Sequence, residues 1–196
     1  MTPGGRTEHV EIDGVPFTVT LRPRGPVGLL ALHADNEGGT GELAEEAGER
    51  CGATTLVFRQ PGVPDPVHLT SPRMADAGVL LREFLAHVTV TVSLHGHMRR
   101  TAERTLFLGG RNRSAARRLA WTLRALRPEF HTVTDLERIP AALRGLHPRN
   151  PVNLARDAGV QVELPLLART SGADDVPPPH VVDALTAGVR LLRAGR

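Results

Sequence analysis

The chain has 196 residues, 40% of them hydrophobic, and a formal net charge of +3, the profile of one globular domain over residues 1–196. Its apolar runs, such as 27–32, fall far short of the ~20 residues a membrane span requires, and the single Cys51 excludes both an intramolecular disulfide and a cysteine-based zinc site. All the basic residues are arginine, dispersed along the chain, and aromatic content is 3%, so a nucleic-acid partner is not expected.

The N-terminus shows no positive segment followed by an apolar core, which points to the cytoplasm. Residues 10–22 alternate polar and apolar side chains around Asp13-Gly14 and predict a strand pair. Residues 27–32 read as a strand covered on both faces, and Glu42 to Arg50 as a helix. A strand follows at 54–58, then a Pro-rich loop at 62–66. The spacing of Met74, Ala77, Val79, Leu80 and Phe84 predicts a helix over 73–86, running into a strand that ends at His95.

Thr105 to Leu108 is a short strand closed by Gly109 and Gly110, and Ser114 is the expected N-cap of a helix reaching Leu126. Residues 131–134 form a further candidate strand, 140–151 are irregular, 159–166 are strand-like, and 181–192 predict a terminal amphipathic helix. This alternation implies an α/β fold: a mostly parallel or mixed central sheet with helices on both faces, and a site beyond the carboxyl ends of its strands.

Two apolar strands end on histidine, His33 and His95, and Glu37 lies just behind the first. Two imidazoles and a carboxylate are the donor types zinc takes in hydrolases, with a fourth position left for water. A histidine capping a strand is ordinarily satisfied by backbone partners, so the metal reading rests on the coincidence of all three. Within the same loop Asp35 is an alternative carboxylate.

Several motifs resemble those of the poly-γ-glutamate hydrolase family, phage and bacterial enzymes also labelled phage-related replication proteins. The segment from Leu32 to Thr40 is similar to the family's His-Gly-Gly-x-x-Glu-Pro-Gly-Thr, although three residues rather than four separate His33 from Glu37 and the Gly-Gly pair is Ala34-Asp35. His68-Leu69-Thr70-Ser71 resembles its His-Ile-Thr-Ser, and Ser93-Leu94-His95-Gly96 its second histidine motif. Leu108-Gly109-Gly110, Asn150-Pro151-Val152-Asn153, the stretch from Gly159 to Leu164, and Arg169 follow in the family's order.

The resemblance implies a compact relative of the zinc carboxypeptidase fold, with Zn2+ held by His33, Glu37 and His95 and with Glu163 as general base. It also implies hydrolysis of amide bonds in an acidic polymer or peptide, poly-γ-glutamate first. Glu163 within an apolar strand is costly unless paired or functional. Arg169 suits a substrate carboxylate, and His68, Asn150 and Asn153 are further candidates for substrate binding. His97, Arg99 and Arg100 read equally well as surface residues. Two alternatives stand beside this one: another zinc amidase or carboxypeptidase acting on cell-wall peptides or N-acyl amino acids, and a metal-free binding module on the same scaffold.

Overall fold

The computed structural model describes residues 4–171 and 175–195; residues 1–3, part of the N-terminal segment read for a leader, lie outside them. Strands β1 (Arg6–Ile12) and β2 (Val15–Arg22) form the expected hairpin. Asp13 and Gly14 both take positive φ, 53° and 78°, the pair of left-handed residues a tight two-residue hairpin turn needs. There follow β3 (Gly25–Ala31), α1 (Thr40–Cys51), β4 (Ala53–Arg59), α2 (Gly78–His87), β5 (Val90–His97) and β6 (Thr105–Leu108). The chain continues through α3 (Arg113–Leu123), β7 (His131–Val133), β8 (Gly159–Pro165) and α4 (Pro179–Ala194).

The sheet is mixed, in the order β1-β2-β4-β3-β5-β8-β6-β7. Its centre, β4-β3-β5-β8, is parallel; β2 joins β4 and β6 joins β8 in antiparallel pairing. Among the described residues no helix is long and apolar enough to cross a membrane.

Strand side chains alternate between faces, and this alternation divides the core in two. Val27, Leu29, Val92, Leu94, Val160 and Val162 pack with α1, α3 and α4 on one face. On the other, Leu30, Leu32, Leu56 and Phe58 meet Phe84 and Leu81 of α2. Helix α2 approaches β3 closely, since a Cβ on Gly28 would collide with the Phe84 ring.

Some boundaries differ from expectation for local reasons. The helix expected over 73–86 is broken into a 3-10 turn, Ser71–Met74, and α2, because Gly78 at φ 83° interrupts the helical path. Asn112, not Ser114, caps α3 by accepting a hydrogen bond from Ala115 N, and the last predicted turn, Arg124–Leu126, tightens to 3-10. The irregular 140–151 segment contains a 3-10 turn at Ala141–Leu143.

Candidate metal centre and active site

β3 and β5 are parallel neighbours, so their carboxyl ends lie together at one edge. His33 lies two residues beyond the end of β3, while His95 lies within β5 on the face opposite Leu94. A turn closed by Glu37 N donating to His33 O at 2.7 Å returns Glu37 towards both rings. Among the described residues, His33, Glu37 and His95 form the one group of such donors spaced to hold a metal ion, and all three are buried.

Three separations define the group. His33 Nδ1 is 3.3 Å from His95 Nδ1, His33 Nδ1 is 3.3 Å from Glu37 Oε1, and His95 Nδ1 is 3.3 Å from Glu37 Oε2. Zinc–ligand bonds of roughly 2.0–2.1 Å at tetrahedral angles place their donors about 3.3 Å apart. The outer ring nitrogens are engaged: His33 Nε2 donates to Leu69 O at 2.7 Å, and His95 Nε2 lies 2.9 Å from Ser93 Oγ. A proton held on each Nε2 leaves both Nδ1 lone pairs facing inward. Two such lone pairs repel unless a cation lies between them, so the donor set fits a shared metal ion.

The charges around the trio follow from burial and proximity. Burial opposes ionisation of Glu37, yet His95, His33 and His68 hold its carboxyl well below the usual carboxylate range. Burial lowers His33. On His95 the burial penalty is overcome by Glu37 and Glu163, and its pKa rises. Glu37 Oε2 also accepts from Gly96 N at 3.0 Å, tying the carboxylate to β5.

Glu163 sits beside His95 because β5 and β8 are parallel with His95 in register opposite Glu163. Burial, reinforced by Glu37 and opposed by His95, pushes its carboxyl up to about 7. Gln161 Nε2 donates to Glu163 Oε1 at 2.7 Å, and Asn150 Nδ2 donates to Gln161 Oε1 at 2.8 Å. His33, Glu37, His95, Glu163, Gln161, Asn150 and His68 all line one cleft of about 420 Å³, together with residues of the 141–147 segment. A larger groove of about 620 Å³, bordered by Arg22, Glu45 and Glu49, lies apart from this chemistry.

The other candidates are distributed unevenly. His68 is half exposed, with its ring 4.2 Å from that of His33 and Nε2 at 3.3 Å from Glu37 Oε1; that contact raises its pKa. Asp35 turns away, pairing with Arg59 at 3.3 Å and accepting from Gln60 N. Asn153 donates to Gly145 O at 2.7 Å and accepts from Arg111 N, so it braces the cleft-side loop without lining the cleft. Arg169 is buried behind Gly96, donates to Gly38 O and does not line the cleft. His97 points to Thr105 O at 2.9 Å, and neither it nor Arg99 nor Arg100 lines the cleft.

Two residues that the sequence reading passed over are Ser93 and Gln161, and position could have found them. Each lies two residues before a site residue in a strand, hence on the same face. His147, also in the lining, carried no comparable signal.

The family model of poly-gamma-glutamate hydrolase matches residues 8–174. The chain belongs to the poly-gamma-glutamate hydrolase family. No curated protein sequence matches it significantly. Among solved structures, a bacteriophage poly-gamma-glutamate hydrolase is 23% identical with a TM-score of 0.70, covering 94% of this chain and 91% of that one. YNDL in a zinc-free form is 21% identical, also with a TM-score of 0.70, over 91% of this chain and 90% of that one. A metallo-carboxypeptidase from Burkholderia cenocepacia matches more loosely, with 11% identity and a TM-score of 0.53, over 100% of this chain and 66% of that one. These likenesses speak for the fold, which is the carboxypeptidase-like α/β sheet expected of a poly-gamma-glutamate hydrolase.

Proposed function

We propose that this poly-gamma-glutamate hydrolase cleaves its polymer's amide bonds with zinc held by His33, Glu37 and His95, and with Glu163 as general base. The observation that carries the reading is the set of 3.3 Å separations that joins the two buried imidazole Nδ1 atoms to each other and each to one oxygen of the buried Glu37 carboxylate. A bound zinc ion supplies Lewis acidity, polarising the amide carbonyl and acidifying water.

The remaining work belongs to the side chains. Glu163, beside His95 on the cleft wall, takes the proton from the attacking water and returns it to the leaving amine nitrogen. Gln161 fixes the carboxylate by donating to Oε1, leaving Oε2 for that transfer. Asn150 in turn fixes Gln161. His68, half exposed on the cleft lining, suits a substrate carboxylate.

The test is metal analysis joined to an assay of amine release from poly-γ-glutamate. About one zinc per chain, activity abolished by a chelator and restored by zinc, and loss of both metal and activity in H33A and H95A are the expected results. A protein that neither carries nor takes up zinc would overturn the metal assignment. Cleavage of cell-wall peptides or N-acyl amino acids in preference to the polymer would overturn the substrate.

A further inference from the structure

Poly-γ-glutamate carries one carboxylate on every residue, yet among the described residues no arginine lines the catalytic cleft, and the chain contains no lysine. The charge lies elsewhere. From Arg104 to Pro128 the sequence holds seven arginines and no acidic residue, and folding separates these arginines by role. Arg113 is committed to the carbonyls of Leu108, Gly110 and Thr134, and Arg118 to that of Leu191. Arg117 and Arg124 are exposed, with no side-chain hydrogen bond or ion pair among the described residues.

Positions 117, 121 and 124 follow helical spacing and share one face. Between the two free arginines stands Trp121, 64% exposed. The chain's single tryptophan thus borders a shallow depression of about 480 Å³ with Arg117, Arg118 and Leu191. The next acidic residue after α3, Glu129, pairs with His180 at 3.1 Å, and the acidic residue of α4, Asp183, with Arg50 at 2.7 Å.

We propose that the outer face of α3 is an exosite for a distal stretch of the polyanionic substrate; this rests on the hydrolase reading above. Each γ-linked residue sets a carboxylate beside two methylene groups, matching guanidinium groups alternating with an apolar ring and Leu191. A nucleic-acid surface of this kind needs several aromatic platforms for successive bases, whereas here one ring stands alone. Polymer held on α3 raises the local concentration of substrate near the cleft, as linked binding sites do.

The test uses Trp121 as its own reporter. In catalytically disabled E163Q protein, long-chain poly-γ-glutamate produces a saturable change in tryptophan fluorescence, and R117E/R124E weakens that binding about tenfold, the scale of two exposed charge contacts reversed. In the active protein the same double substitution raises KM for long polymer about tenfold and leaves kcat/KM for a γ-linked triglutamate unchanged. An unchanged polymer KM together with an unchanged titration overturns the exosite. A fluorescence response to single-stranded DNA of matched charge, with none to the polymer, overturns it in favour of a nucleic-acid surface. Should the wild-type protein cleave neither polymer nor triglutamate, the hydrolase reading fails, and the fluorescence titration alone still decides whether α3 holds the polyanion.

Discussion

The same two strands build opposite surfaces. Towards α1, α3 and α4, β5 and β8 present Val92, Leu94, Val160, Val162 and Leu164, all apolar and all buried. Towards the cleft they present Ser93, His95, Gln161 and Glu163, equally buried but polar. Burying polar groups is tolerable only when they are hydrogen-bonded or bind an ion, and on the cleft face they form a continuous chain from Asn150 through Gln161 to Glu163. One face is built for stability; the other holds costly chemistry in place on the rigidity of the first.

Substitutions on each face should therefore fail differently. The largest effect is expected for E163Q, a loss of 10²–10⁴-fold in kcat for poly-γ-glutamate, the usual contribution of a general base, with zinc content unchanged. In the wild-type enzyme kcat/KM should fall on the acid side of the Glu163 titration, which stands at about 7 without metal and is drawn lower beside a cation. A Glu163 variant with full activity would remove the distinction between the two faces.

On the apolar face, Leu94→Ala should cost roughly 2–5 kcal/mol of stability, because Leu94 is fully buried among the three-helix core. Denaturant unfolding measures the loss, and zinc stoichiometry in the folded fraction should remain near one. Loss of metal without loss of stability would show that the faces are not separable in this way.

E163Q should also stabilise the metal-stripped protein. The folded pKa of Glu163, about 7, lies above the ordinary value of 4.5, so the folded state retains a proton that the unfolded chain releases between those values. Stability therefore falls as pH rises through that window, and a neutral glutamine avoids the fall. The gain at pH 8 should be at most roughly 3 kcal/mol and should vanish towards pH 4.5; thermal melts at both pH values in chelator would check it. The smallest change is expected for Ser93→Ala, which removes the partner of His95 Nε2 and should weaken zinc binding about 10- to 100-fold, measured by competition with a chelator.

Much of this site was legible because its logic is local. Histidines at the ends of apolar runs, and the i, i+2 spacing of Ser93 with His95 and of Gln161 with Glu163, are properties of strand period alone. The choice between Asp35 and Glu37 was not legible. Both stand in one short loop, and Asp35 is drawn away from the two histidines only by Arg59 at the end of β4 and Gln60 just after it. Arg169 and Asn153 likewise suit substrate contact by chemistry, but Arg169 is taken up by the carbonyl of Gly38, far away in the chain, and Asn153 by that of Gly145.

The amino-acid sequence by itself determined the α/β alternation, the family, and which strands carry imidazole and carboxylate, because periodicity and residue type are written position by position. Only the tertiary structure decided that β5 and β8 lie in a register setting His95 beside Glu163, and that Glu37 turns back between two imidazoles. It alone also lined up Arg117, Trp121 and Arg124 on an open surface. These are relations between segments far apart in the chain or between a helix and what covers it, and packing, not local pattern, sets them.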